Sequence, residues 1–241
     1  MACWSAGLLR RCFLGVMLLG SALITSASLV YFDTDILPPF VIEKFPLRFE
    51  SLWLASLWLH VASALLSFPL CLALMTRTIQ RRPVWHRWLG RFTGALVLFA
   101  LVPSGVVLSF DAKGGAFVTL GFLLSAAIVA VGMVQGVAAA RRRNLVLHRR
   151  ATWHVVAQMS VAVTSRALLV GLDMAGIDPE LSYVIALWLP VLASAAVVEL
   201  LATRSPFSLS TRSVERIRRE TNALALLPVR SGVRPVTRLG R

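Results

Sequence analysis

Four histidines, His60, His86, His148 and His154, stand within or beside long apolar stretches, in company with Arg87, Arg91, Arg149, Arg166, Gln158 and Glu199. Such groups are costly inside a membrane, so they mark a cavity, a pairing or a pathway. Several chemistries suit them. Facing imidazoles on two helices can hold the iron of a b-type haem, and His86, His148 and His154 lie close enough in depth to supply one. His60 lies too far along its own helix to join them, and the fourth apolar stretch has no histidine, so a second bis-histidine haem is not expected. His86-Arg87 and His148-Arg149 begin helices, where unpaired N–H groups and arginine suit a phosphate or an anionic lipid headgroup.

Other chemistries find no support. His148 and His154 are six residues apart, which does not bring them to one helix face, and no cysteine accompanies them as a zinc ligand. No His-Glu-x-x-His, phosphate-binding glycine loop or dinucleotide fingerprint occurs. No nucleophile has an adjacent base placed by a local motif, so no catalytic residue is assigned. The leading expectation is a protein that binds or moves a small molecule or lipid at a polar His/Arg/Glu site. Electron transfer through one haem is the alternative. A third reading is a structural or regulatory membrane protein in which these groups only bond helix to helix.

The elements that position these groups follow from hydropathy. Hydrophobic residues make up 57% of 241 and charged residues 15%, and mean hydropathy is +0.76. A soluble domain carries roughly a quarter charged residues, so much of this surface must face lipid. Six apolar runs approach the ~20 residues that cross a bilayer core: residues 12–30, 52–75, 89–110, 116–139, 152–172 and 181–202. The third and fifth open on polar residues. The expected fold is all-α, a polytopic bundle of about six transmembrane helices, because open sheet edges do not survive in lipid. Residues 1–51 comprise the first helix and an acidic loop, 52–202 a five-helix core, and 203–241 a basic tail. Within that tail, 210–227 has the pattern of a helix lying on the membrane surface.

The net charge of +14 does not indicate nucleic acid, because the arginines fall in short clusters between apolar runs. Arg77, Arg81, Arg82 and Arg87 follow the second run, Arg141, Arg142, Arg143, Arg149 and Arg150 the fourth, and further arginines the sixth. The alternate connections hold Asp33, Asp35, Glu43 and Glu50, then Asp111, then Asp173, Asp178 and Glu180. Arginine in short loops marks the cytoplasmic side, which places both termini inside, and the alanine- and arginine-rich composition suggests a bacterial inner membrane. Arg10-Arg11 before the first run has the look of an export signal, but a retained first helix keeps the loop charges in register. Cys3, Cys12 and Cys71 then lie toward the cytoplasm, where free thiols are expected.

Two stretches resemble each other. Arg81-x-x-Val84-x-His86-Arg87 recurs as Arg143-x-x-Val146-x-His148-Arg149, and Asp111-x-x-Gly114 as Asp173-x-x-Gly176 at the same offset. Helices three–four and five–six are thus expected to be copies of one hairpin related by an axis along the membrane normal, with His86 and His148 at one depth. Gly90-x-x-x-Gly94 and Gly132-x-x-x-Gly136 suggest close packing of helices three and four. Ser56, His60, Ser63 and Ser67 share a face of helix two, and His154, Gln158 and Ser165 a face of helix five. Arg91 and Glu199 are expected to neutralise one another or reach headgroups, and Arg166 to reach Asp173 or His60.

The string His86-Arg-Trp-Leu-Gly-Arg91, the second His-Arg at 148–149 with Arg166 downstream, His60, and Val-Val-Glu199-Leu together resemble a bacterial membrane family catalogued as domain of unknown function 2306. The resemblance covers about 52–202 and implies a multi-pass membrane protein without naming an activity. That family's Trp-Met-x-Arg run after the second His-Arg is replaced here by Ala151-Thr152-Trp153-His154. His86-x-x-Leu89-Gly90 also bears a faint likeness to transmembrane b-type cytochromes.

Overall fold

Among the described residues, six helices long and apolar enough to cross a membrane arise from these runs. They are α1 (Ala2–Ser28), α2 (Glu50–Leu74), α3 (Pro83–Ser109), α4 (Gly115–Arg141), α5 (Leu145–Met174) and α6 (Pro179–Arg204). The structure is a computed structural model and describes residues 2–32, 39–42, 44–47 and 49–204. The tail and its 210–227 segment lie outside the described residues, as do Asp33, Asp35 and Glu43. Residues 1–200 form one compact unit; of the second, 201–241, only the helix end at 201–204 is described.

Helices α3 and α5 start earlier than their apolar runs, at Pro83 and Leu145. Pro83 suits a first helical turn because its missing N–H would be unpaired there. Asn144 caps α5 by accepting the Leu147 N–H at 3.0 Å. His86 and His148 are therefore inside helices, one turn from their starts. Gly114 (φ +96°) and Gly176 (φ +71°) turn the chain at the opposite end in the left-handed region that glycine favours.

Contacts between helix ends define two ends of the bundle. The starts of α3 and α5 meet through His86 and His148, and the start of α5 meets the end of α6 through Arg150 and Glu199. This is the basic end. At the acidic end Lys44 Nζ donates to the Asp111 carbonyl, and Trp58 Nε1 to the Tyr31 carbonyl at 2.9 Å.

Helix α4 packs closely on α5. A Cβ on Gly132 would stand 3.1 Å from Val155 Cγ2 and 3.2 Å from the Ala151 carbonyl oxygen, and one on Gly136 3.7 Å from Ala151 Cβ. The glycine pair of α4 thus serves α5, not the α3–α4 hairpin that the spacing suggested. On α3, Gly94 meets Met133 at 3.7 Å, but Gly90 has no neighbour within 4 Å. The reason is directional: the two α4 glycines share one stripe, and one stripe can meet only one partner closely. An apolar cluster including Phe68, Leu72, Val97, Met133, Val155 and Met159 fills the space among α2, α3, α4 and α5. A second, of Val118, Val161, Leu187 and Val191, joins α4, α5 and α6. Cys71 is buried in the first cluster as a free thiol, and Cys12 is exposed.

Gly132→Leu should therefore lower stability by about 1–3 kcal/mol, the usual cost of overpacking. Gly90→Leu should be nearly neutral. Thermal unfolding midpoints of the detergent-solubilised proteins compare the two, and equal losses would contradict this packing.

Candidate functional site

The polar residues expected at the basic end separate into two groups carried on different faces of α5. In the first, a single carboxylate joins two helices. Glu199 of α6 accepts from Arg150 through Nε at 3.2 Å and through Nη2, and from His154 Nε2 at 2.7 Å. Arg150 and His154 are i and i+4 on α5, one above the other. The guanidinium and carboxylate are about half exposed (51% and 43%), whereas His154 is 18% exposed. Glu199 is therefore neutralised by Arg150, not by Arg91, which is exposed and outside this network.

One turn deeper, Gln158 is buried and bonded through both ends of its amide. Its Nε2 donates to the Val191 carbonyl at 2.9 Å and to Ser194 Oγ at 3.0 Å, while its Oε1 accepts from Ser125 Oγ at 3.0 Å. It ties α4, α5 and α6 together and has no donor left for a ligand. Between α4 and α5 an open groove of about 320 Å³ runs along Ala127, Ile128, Val131 and Gly132 to Gln135 and His154. The apolar floor thus ends on His154, and through it on the shared carboxylate. A larger groove of about 400 Å³ beside Leu18 and Pro69 carries only serine and threonine hydroxyls and no ionisable group.

The second group is the His86–His148 pair. Their ring centroids are 6.4 Å apart with planes at 84°. His148 Nδ1 lies 2.8 Å from the Gly136 carbonyl oxygen; a carbonyl only accepts, so Nδ1 carries a proton, and in the neutral ring the lone pair is on Nε2. His86 Nδ1 is buried without a hydrogen-bond partner. Arg87 and Arg149 are both exposed beside them.

His60 and Arg166 lie toward the other end. Ser56, Ser63 and Ser67 are buried with the His60 face inward, as the spacing of α2 implies. His60 Nδ1 stands 3.1 Å from the Leu101 carbonyl oxygen and 3.3 Å from Ser104 Oγ. Leu101 ends a five-residue π-helical segment, Val97–Leu101, a local widening often found at functional positions. A Cβ on Gly105 would come within 2.9 Å of His60 Cε1, so glycine makes room for the ring. Arg166 Nη1 donates to the Ala162 carbonyl at 2.8 Å, which turns the guanidinium back along α5 and not toward Asp173. It remains within electrostatic range of His60 and Tyr183.

Sequence reasoning missed Arg150, the principal partner of Glu199, and Ser125 and Ser194, which complete the bonding of Gln158. The signal for Arg150 is its i+4 spacing to His154, masked by its place at the end of an arginine-rich connection. Among the described residues no group of three or more His, Cys, Asp or Glu side chains is placed to hold a metal.

No curated protein and no solved structure matches the chain. Residues 57–202 match the family described as predicted membrane protein, DUF2306. That stretch contains His60, both groups at the basic end and Glu199, and the chain is a member of this membrane-protein family.

Proposed function

We propose that the protein binds an amphipathic molecule resident in the membrane, with its apolar part in the α4–α5 groove and its polar head at His154, Gln135 and Glu199. The observation that carries this reading is the Arg150–Glu199–His154 network at the end of an otherwise apolar groove. Ionisable groups in a span are expensive and tend to serve a site, and ligand sites combine apolar walls with a few polar groups that set orientation. Because Arg150 already balances the Glu199 charge, the head that fits is neutral or zwitterionic, a hydroxyl, carbonyl or amide group, and not a free anion.

Protein purified in mild detergent should carry a stoichiometric amphipathic adduct by native mass spectrometry. Glu199→Ala removes the polar end and Val131→Trp fills the groove; each should reduce occupancy by about tenfold or more, the scale of one lost buried polar contact. Undiminished adduct in both variants would refute the site.

The orientation belongs to the same proposal. With the basic end facing the cytoplasm of a bacterium, both termini are inside and the arginines can meet anionic headgroups. The repeated Arg-x-x-Val-x-His-Arg strings support reading α3–α4 and α5–α6 as copies inserted alike. A reporter active only in the periplasm should be silent when fused after Arg82, Arg143 or Arg204, and active after Glu43, Gly114 or Pro179. Activity after Arg143 would reverse the orientation.

A further inference from the structure

We infer that His86 and His148 are the two axial ligands of one b-type haem at the basic end of the bundle, a site separate from the α4–α5 groove. The inference begins with distance. Metal–imidazole bonds run about 2.0–2.1 Å, and a ring centroid lies ~1.1 Å behind its ligating nitrogen, so trans imidazoles have centroids about 6.3 Å apart and tetrahedral ones about 5.1 Å. The observed separation is 6.4 Å. The planes are nearly perpendicular, at 84°, which a trans pair accommodates because each ring can rotate about its own metal–nitrogen bond.

The state of each ring fits the same role. Metal-bound histidines commonly donate their other N–H to a carbonyl or carboxylate, which fixes the tautomer and orients the ring. His148 does this through Nδ1 to the Gly136 carbonyl, leaving Nε2 unprotonated. His86 is only partly committed: its Nδ1 is buried and has no hydrogen-bond partner. A buried polar atom without a partner calls for an explanation. A ligand that seats the His86 ring, and lets Nδ1 find a partner as the ring turns onto the metal, supplies one. By contrast, His60 lies against α3 toward the other end, and His154 Nε2 is held by Glu199.

Electrostatics select the kind of metal centre. Each histidine is followed directly by arginine, Arg87 and Arg149, and Arg81, Arg82, Arg141, Arg142 and Arg143 flank the same helix starts. A bare divalent cation placed in that field would be repelled. Iron carried in a planar macrocycle with two carboxylates is attracted instead, the propionates meeting guanidinium groups that pair well with carboxylate. The two histidines also occupy matched positions in their strings, so a ligand with two equivalent faces meets two equivalent partners.

The test uses the full-length protein made in cells supplied with a haem precursor, then titrated with haemin after purification. The expected result is a Soret band, with the red-shifted low-spin spectrum of bis-imidazole iron, at one haem per chain. Both His86→Ala and His148→Ala should weaken haemin binding by more than about 100-fold, beyond the 10–100-fold typical of losing a partner one shell further out. His60→Ala and Glu199→Ala should keep the band. Should an alanine variant fail to elute as a single species, His86→Gln and His148→Gln keep size and polarity and serve in its place. Absence of a Soret band with haemin in excess overturns the inference. So does a band that survives loss of either histidine, or copper retained by the same histidines in protein that takes no haem. Because Glu199→Ala is predicted to spare haem while depleting the groove adduct, failure of one site is distinguishable from failure of the other.

Discussion

The close approach of α4 and α5 at Gly132 and Gly136 governs the geometry of the whole basic end. With no side chain on α4 at these two positions, Ala151 and Val155 of α5 come nearly into backbone contact with it. That proximity puts the Gly136 carbonyl within reach of His148 Nδ1, although the oxygen belongs to a helix and already accepts an intrahelical bond. It also fixes the rotation of α5. Once Ala151 and Val155 face α4, Arg150 and His154 are directed toward α6 and His148 toward the start of α3. Small residues at membrane interfaces have this general effect, because packing replaces the hydrophobic drive that lipid removes.

Around that contact most interior polar groups answer to the lack of water. A donor or acceptor in hydrocarbon must find its partner in protein. Serines meet the demand locally: Ser104 donates to the Ala100 carbonyl at 2.6 Å and Ser160 to the Ala157 carbonyl at 2.6 Å. Gln158 meets it across three helices. Glu199 is answered by two cationic or proton-bearing groups at once. Among the described residues, Ser67 Oγ, Thr93 Oγ1 and His86 Nδ1 are buried without a hydrogen-bond partner, and of these only His86 Nδ1 belongs to a group that can bind a metal.

Much of this architecture was legible in the residues. Six apolar runs, Pro83 and Asn144 at helix starts, and the inward stripe of Ser56, His60, Ser63 and Ser67 all follow from one-dimensional patterns. Their cause is local: hydropathy, capping and a 3.6-residue period. Pairings between helices were less legible because they depend on rotation about each helix axis, which a run of apolar residues leaves undetermined. Glu199 illustrates the difficulty. Its depth matched Arg91 as well as Arg150, and only the rotation of α5 imposed by Gly132 and Gly136 separates the two. The π-helical segment at Val97–Leu101 was illegible for another reason: a one-residue widening leaves the composition of α3 unchanged while shifting the register of everything beyond it. The Leu101 carbonyl meets His60 because of that shift.

The two groups at the basic end are neighbours in sequence yet face different partners, and helical geometry accounts for this. At 100° per residue, Arg150 and His154 lie about 40° apart around α5, whereas His148 lies some 120–160° from them. One face of the helix therefore carries the carboxylate network toward α6, and another carries an imidazole toward α3. Neither group can be reached through the other without crossing the packed seam of Ala151 and Val155. Any coupling between them has to be transmitted by movement of α5 as a body, and the glycine contact with α4 resists that movement. A helix clamped in this way can serve two sites at once while keeping their chemistries apart.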